Sequence, residues 1–199
     1  MKKLFLFILI LGVVFSCEKD LKVNNEIVIY PNKYIKDSIV TYRLENFTEI
    51  KSLMDSLDNL FSVKLTFKDS LILKSVYPKA LYKYSCITIP LYKDNIVLAI
   101  DKFSAIKNDT VYSINNLKNI FKKDFLNIDN NPYYCKNPNK LVILINTKNS
   151  DIVTLKKQLI TITRAYDSLN VDYSLNIELR EFIKPPPPPP KNRQKKNLN

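Results

Sequence analysis

Three stretches of the chain carry apolar residues at every third or fourth position, which is the spacing of an amphipathic helix. They cover residues 48–61, the residues after Ser113 and the residues after Ser150. Serine is a favoured N-cap, and Asp151 adds negative charge at the positive end of the third and longest helix. The apolar positions of the three predicted helices are Ile50, Leu53, Met54, Leu57, Leu60 and Phe61; Ile114, Leu117, Ile120, Phe121 and Phe125; and Ile152, Leu155, Leu159, Ile162, Tyr166 and Leu169.

Strands are predicted where apolar residues alternate with polar ones or form a short continuous run. Residues 141–145 are apolar throughout, which predicts a central strand, whereas residues 171–182 alternate and predict a half-buried final strand. Pro78 is expected to end one strand, and Pro90 to place another at a sheet edge. The predicted strands are 27–30, 63–67, 71–77, 86–92, 95–101, 107–112 (a turn and a short strand), 141–145 and 171–182.

The combined pattern predicts an α+β fold, in which a small mixed β-sheet is packed by two or three helices. The predicted order in the C-terminal half is β-β-α-β-α-β. We expect five segments: a signal peptide over residues 1–16, a lipid-anchored leader over 17–26, an N-terminal α/β segment over 27–93, an α/β domain over 94–183 and a polyproline and basic tail over 184–199.

The N-terminus predicts export. A positive start precedes an apolar run over residues 4–15, which is too short to span a bilayer as a helix. The sequence Val14-Phe15-Ser16-Cys17 resembles the lipobox of bacterial lipoproteins, although phenylalanine is unusual at its position. The resemblance implies cleavage before Cys17 and acyl chains on that cysteine, which would hold the protein on a membrane of the cell envelope, facing the periplasm or the cell surface. An ordinary signal peptide with an incidental cysteine is the alternative.

Two further cysteines bear on the redox state of the exported chain. Cys86 and Cys135 each lie close to the start of a predicted strand. In an oxidising compartment these two residues can form one disulfide. Two separate buried thiols are the alternative, because sequence does not give the distance between the two Cα atoms.

The composition excludes several classes of site. The chain has 199 residues, no His and a single Gly, Gly12, which lies in the predicted signal peptide. Phosphate-binding loops and dinucleotide folds need glycine, whereas catalytic triads and His-based zinc sites need histidine. We therefore predict no catalytic residue, no metal, no cofactor and a non-catalytic function. A secreted hydrolase that uses only carboxylates is the remaining enzymatic alternative.

The charge and the tail suggest partners. The formal net charge is +12, which favours anionic lipid or acidic wall polymers as partners, while export argues against nucleic acid. A solvated lysine-rich surface with no partner is the alternative. The tail begins with six prolines, which predict a polyproline II rod acting as a spacer, as a ligand for an aromatic groove, or as low-complexity sequence without a partner. They are Pro185, Pro186, Pro187, Pro188, Pro189 and Pro190, and a basic stretch follows them.

Parts of the C-terminal half resemble the periplasmic domain of the ExbD/TolR family. Asp94–Lys102 is similar to its first strand, Val111–Leu117 to its second strand and the following helix, and Leu141–Asn146 with Asp151–Leu169 to its second half. The resemblance implies an adaptor in an ExbB/ExbD/TonB-type energy-transducing transport system, dimerisation through the sheet, and contact with a TonB-like protein or peptidoglycan. The family's transmembrane helix and its essential aspartate have no counterpart, because the apolar run at 4–15 is short and contains no acid.

Mass spectrometry of the protein purified from its native membrane tests the anchor. We expect a mature chain that begins at an acylated Cys17, because the apolar run alone is too short to anchor the chain as a transmembrane helix. A chain that begins elsewhere, or an unmodified Cys17, would contradict this prediction. Proteins identified in the same sample would show whether an ExbB/ExbD-type or TonB-type partner accompanies the chain.

Overall fold

The computed structural model describes residues 27–32, 40–58, 63–81, 97–127 and 130–181. These residues form two mixed β-sheets and three α-helices, and the predicted α+β class is confirmed. One hydrophobic core extends from Tyr30 to Leu179 and draws residues from both sheets and all three helices. Among the described residues, no helix is both long enough and apolar enough to cross a membrane.

The first sheet has four strands and comes from the N-terminal segment. Its order is β1-β4-β3-β2, in which β3 and β4 are antiparallel and the two outer strands pair in parallel with their neighbours. The strands are β1 (Ile27–Ile29), β2 (Val40–Arg43), β3 (Val63–Asp69) and β4 (Ile72–Val76). A 3₁₀ turn, Leu44–Asn46, and helix α1, Ile50–Asp58, follow β2.

The second sheet has six strands in the order β5-β10-β9-β6-β7-β8. The first four strands of that order are parallel, and β6, β7 and β8 form an antiparallel meander. The strands are β5 (Pro78–Leu81), β6 (Val97–Asp101), β7 (Ser104–Lys107), β8 (Thr110–Ser113), β9 (Val142–Asn146) and β10 (Asn176–Arg180). Strand β5 belongs to the segment 27–93, so this segment contributes the edge strand of the second sheet.

Helices α2, Leu117–Phe125, and α3, Ile152–Asp167, contribute to the same core as the second sheet. The predicted stripes are largely confirmed, since Leu155, Leu159 and Ile162 are fully buried. Ile114, Ile152 and Leu169 are only partly buried, and Leu60 and Phe61 lie outside the described residues.

Both predicted helix caps require correction. Asp151, not Ser150, is the N-cap of α3, because its carboxylate accepts a hydrogen bond from the Thr154 amide at 2.6 Å. Ser113 caps a 3₁₀ turn, Ile114–Asn116, and this turn leads into α2. Serine and aspartate are comparably good caps, so sequence alone does not place the boundary to one residue.

Most predicted strands that fall on described residues are confirmed, whereas β2 was not predicted and three further details are wrong. The predicted strand 86–92, with Pro90, lies outside the described residues. The central strand is confirmed as β9, which lies between β10 and β6. The final strand covers only Asn176–Arg180, and residues 171–175 are irregular. Pro78 does end β4, but it also begins β5. The order β-β-α-β-α-β omits β7, which has only two apolar residues between two tight turns.

A buried ionic cluster joins the first sheet to α3. Lys74 on β4 is 4% exposed, and its Nζ lies 3.1 Å from Asp69 Oδ2, 2.9 Å from Asp167 Oδ2 and 3.3 Å from Thr163 Oγ1. The Arg164 guanidinium donates to both oxygens of Asp69 and, together with Lys74, lowers the pKa of that carboxyl. The two cations, Lys74 and Arg164, balance the two anions, Asp69 and Asp167, and each carboxylate accepts hydrogen bonds. We therefore interpret the cluster as a structural clamp, meaning a set of ion pairs that holds the first sheet against α3.

Replacing Lys74 by Met tests this clamp. We expect Lys74→Met to lower the free energy of unfolding by about 2 kcal/mol, because the variant removes the buried cation shared by Asp69 and Asp167 and leaves Asp69 with Arg164 alone. Urea denaturation followed by circular dichroism measures the change. Lys156→Met is the matched control: Lys156 pairs with Glu45 at 2.6 Å on the surface, where a pair contributes about 1 kcal/mol or less. Equal losses in the two variants would contradict the clamp.

Candidate ligand-binding cleft

A cleft of about 540 Å³ lies beside α2 and opens next to a smaller cavity of about 190 Å³. Asn119, Lys123 and Tyr134 line both spaces, so the two are adjacent, and we call them together the α2 cleft. Its size falls in the range of ordinary ligand sites. The other described lining residues are Lys107, Tyr112, Asn116, Ile120, Lys122, Leu126, Asn127 and Asn131.

The lining of the α2 cleft has a consistent chemistry. It presents lysine ammonium groups, asparagine amides and tyrosine rings, and none of the described lining residues is acidic. The Nζ of Lys123 lies 5.5 Å from the centre of the Tyr134 ring, which is within the range of a cation–π contact. Amides can both donate to and accept from hydroxyl groups, and the ammonium groups attract anions.

The wall formed by residues 130–135 is held by asparagine side chains. The Asn127 amide donates to the carbonyl oxygens of Asn131 and Cys135, at 3.2 and 3.3 Å, and its Oδ1 accepts from the Asn131 amide at 2.9 Å. The Asn131 carbonyl in turn accepts from the Tyr134 amide at 3.1 Å. These bonds fix a segment without regular secondary structure and thereby place the Tyr134 ring.

Asp124 connects the three parts of the chain that form the walls of the cleft, which are β7, α2 and the loop that carries Tyr134. Its side chain is fully buried, and its Oδ1 lies 2.8 Å from Lys107 Nζ and 2.9 Å from the Cys135 amide nitrogen. Lys107 ends β7, Asp124 lies on α2 and Cys135 belongs to the loop that carries Tyr134. The second oxygen, Oδ2, is buried and has no hydrogen-bond partner among the described residues. Each wall therefore depends on one carboxylate.

Burial governs the ionisation of this carboxylate. Loss of solvent raises the pKa of Asp124, and the Lys107 ammonium and the Cys135 amide act in the opposite direction. Breaking a buried pair by removing one partner is strongly destabilising, since a charge then remains buried alone. The Lys107–Asp124 pair therefore fixes the shape of the cleft even if its net contribution to the free energy of folding is small.

The predicted site residues lie mainly outside the described part of the chain. Cys17, Cys86 and the prolines 185–190 are not among the described residues, and lipidation, the disulfide and the role of the tail stay predictions. Cys135 is fully buried, and its sulfur lies 3.1 Å from the Asn137 carbonyl oxygen. Within the described ranges, no group of three or more His, Cys, Asp or Glu residues is placed to hold a metal.

Sequence reasoning missed the α2 cleft, although two local signals point to it. The pair Lys122-Lys123 lies on the polar side of a predicted helix, and the loop that follows contains Tyr133-Tyr134 among asparagines and prolines. Neither signal alone predicts a binding site, because each also fits an ordinary solvated surface.

The chain was compared with protein-family models, with curated proteins and with solved structures, and none of the three comparisons found a match.

Replacing Lys107 by Met tests the buried pair and its pH dependence. We expect a loss of about 3–5 kcal/mol in the free energy of unfolding near pH 7, because Asp124 then lies buried without a cation. A carboxyl whose pKa is raised in the folded state binds more protons folded than unfolded, so the loss should shrink as the pH falls from about 7 toward about 4. Urea denaturation at several pH values measures it.

The double variant Lys107→Met with Asp124→Leu serves as the control. It removes both charges and should recover part of the loss near pH 7 while losing the pH dependence. A Lys107→Met deficit that stays constant or grows on acidification would show that Asp124 is not the group responsible.

Proposed function

We propose that this protein is a lipid-anchored component of the bacterial cell envelope whose α+β domain is a non-catalytic binding module for an anionic wall polymer. The observation that carries the proposal is the lining of the α2 cleft, which combines lysines, asparagines and tyrosines. The anchor at Cys17 would keep the module close to the membrane and within reach of the wall. Localisation and anchoring rest on the sequence alone.

The polar groups of the cleft, asparagine amides and the exposed ammonium groups of Lys122 and Lys123, suit a hydroxyl-rich anion. Asn116 and Asn119 line the cleft, and amides of this kind bond sugar hydroxyls as donors and acceptors, whereas the side chains of Asn127 and Asn131 hold the neighbouring loop. The Tyr134 ring offers an aromatic surface against which a sugar ring can pack. Lysines at the rim attract carboxylate or phosphate groups, and such attraction between exposed charges weakens with salt.

The charge of the whole chain supports the same partner. The net charge of +12 raises the local concentration of polyanions around the protein. The basic stretch 191–199 can add a further, sequence-independent attraction, which would act beside the cleft. Loss of the tail would then weaken binding without altering which polymer the cleft prefers.

An adaptor role in an ExbB/ExbD/TonB-type system is the second candidate. The order of elements from β6 to β10, in which two helices alternate with parallel strands after an antiparallel start, favours it. Co-purification of an ExbB/ExbD-type or TonB-type protein from intact membranes would support this candidate. A homodimer formed through the sheet would also fit it.

Binding to soluble peptidoglycan fragments tests the principal proposal. We expect the double variant Lys122→Gln with Lys123→Gln to bind about tenfold more weakly and to show a smaller dependence on salt, because two exposed cations have been removed. Isothermal titration calorimetry at several salt concentrations measures both effects. Tyr134→Leu should weaken binding about fivefold at every salt concentration, since it removes an aromatic surface and no charge.

Two controls distinguish binding at the cleft from nonspecific attraction to the basic residues of the chain. Lys51→Gln with Lys148→Gln removes the same charge from exposed positions outside the cleft, on α1 and after β9, and should change affinity by less than about twofold. Deletion of residues 191–196 measures the share of the tail. If the control pair weakens binding as much as the cleft pair, or if all binding disappears with the tail, the cleft is not the binding site.

A further inference from the structure

One face of the first sheet carries side chains that are mostly exposed or half-buried, although Ser75 on that face is fully buried. Lys74 and Phe67 point toward α3 and the core, so the residues that alternate with them point the other way. We call this surface the outer face of the first sheet. It consists of Ile27 and Ile29 on β1, Thr41 and Arg43 on β2, Lys64, Thr66 and Lys68 on β3, and Leu73 and Ser75 on β4.

The outer face combines exposed apolar and cationic side chains. Ile27 is 54% exposed and Ile29 is 51% exposed, a high value for isoleucine in a strand. Arg43 and Lys68 are exposed and Lys64 is half-exposed, and the face carries no acidic side chain. Apolar side chains beside a cluster of cations are typical of surfaces that rest on anionic lipid.

The path of the chain brings this face close to the predicted anchor. Strand β1 runs parallel to β4 and begins beside it, with Ile27 opposite Leu73, so the leader enters at the end of the sheet where Leu71 forms the β3–β4 turn. Leu71 is 72% exposed. Cys17 precedes Ile27 by ten residues, which span at most about 35 Å when fully extended.

The acid nearest to this face along the chain is already engaged. Glu45 follows β2, and its Oε1 accepts from the Lys68 amide at 3.0 Å and from Lys156 Nζ at 2.6 Å. The Lys156 ammonium helps to lower the pKa of Glu45, so this carboxylate stays paired with a cation.

We propose that the outer face of the first sheet rests on the anionic lipid headgroups of the membrane that holds the protein. Ile27, Ile29 and Leu71 contact the boundary between headgroups and acyl chains, and the cations contact phosphate groups. The α2 cleft belongs to the second sheet and its helices, so it stays open to solvent. This inference rests on the lipid anchor, which is part of the proposed function.

Single tryptophan residues report the contact directly, because the natural chain contains none. The full acylated chain is placed in vesicles of equal parts phosphatidylcholine and phosphatidylglycerol, some carrying bromine on their acyl chains. Ile27→Trp should emit at shorter wavelength and be quenched several-fold more by bromine than Val111→Trp. Val111 is the matched control, since it is an exposed β-branched residue of the second sheet, 67% exposed.

A second measurement isolates the charges. A chain that begins at residue 18 has neither the predicted signal peptide nor Cys17 and cannot be acylated, and we expect it to bind the same vesicles but not vesicles of pure phosphatidylcholine. Removing Arg43 and Lys68 as Arg43→Gln and Lys68→Gln should weaken this binding about thirtyfold, or about fivefold for each cation. Ile27→Ser with Ile29→Ser should weaken it about tenfold, whereas Val111→Ser with Val153→Ser should not.

The outcomes separate this inference from the proposed function. Equal quenching at positions 27 and 111, in a sample whose mass shows an acylated Cys17, would overturn the membrane contact and leave the anchor intact. An unmodified Cys17 would overturn both the anchor and the contact. Peptidoglycan binding should be unchanged in Ile27→Ser with Ile29→Ser, so a failure of the cleft would appear independently.

Discussion

The buried carboxylate of Asp124 is the constraint on which the shape of the α2 cleft depends. A single oxygen accepts from the Lys107 ammonium and from the Cys135 amide, so one group fixes the end of β7, helix α2 and the loop that carries Tyr134. Burying a charge without its partner costs free energy. This cost keeps Lys107 and the Cys135 amide in contact with Asp124. The amide network of Asn127 and Asn131 then shapes the remaining wall.

The basic residues of the chain act in different ways according to their surroundings. Lys74 and Lys107 are buried with carboxylate partners and stabilise the fold. Lys122 and Lys123 line the cleft, and Arg43, Lys64 and Lys68 lie on the outer face of the first sheet. The net charge of +12 is thus the sum of structural cations and of at least two separate exposed groups. One exposed group lies on α2 and the other on the first sheet, and this placement would let one protein make both proposed contacts, with an anionic polymer and with a lipid surface.

Much of the fold follows from apolar periodicity. The stripe of Leu155, Leu159 and Ile162 and the continuous run that forms β9 were predicted because burial of these residues dominates the local energetics. Strands β2 and β7 were missed, since each has four residues and too few apolar positions to show a period. The turn between β7 and β8 has positive φ at both Asn108 and Asp109, a conformation that asparagine and aspartate tolerate.

The candidate site was far less predictable than the fold. Asp124 lies among the apolar residues Ile120, Phe121 and Phe125 of α2, and the sequence gives no sign that this acid is fully buried. Its partner Lys107 is 17 residues earlier, and Cys135 is 11 residues later. Polar contacts over such separations depend on the tertiary arrangement and leave no periodic signal. The lipid anchor is the opposite case, since a short motif at the N-terminus predicts it without any knowledge of the fold.

A nuclear magnetic resonance titration tests the central claim, that the α2 cleft binds an anionic wall polymer, most directly. Soluble peptidoglycan fragments are added to the isotope-labelled chain, and changes in the backbone amide shifts are mapped onto the structure. We predict that the largest changes occur at Asn119, Lys123 and Tyr134, with little change in the first sheet. Changes confined to residues 184–199, or spread evenly over exposed lysines, would contradict the account.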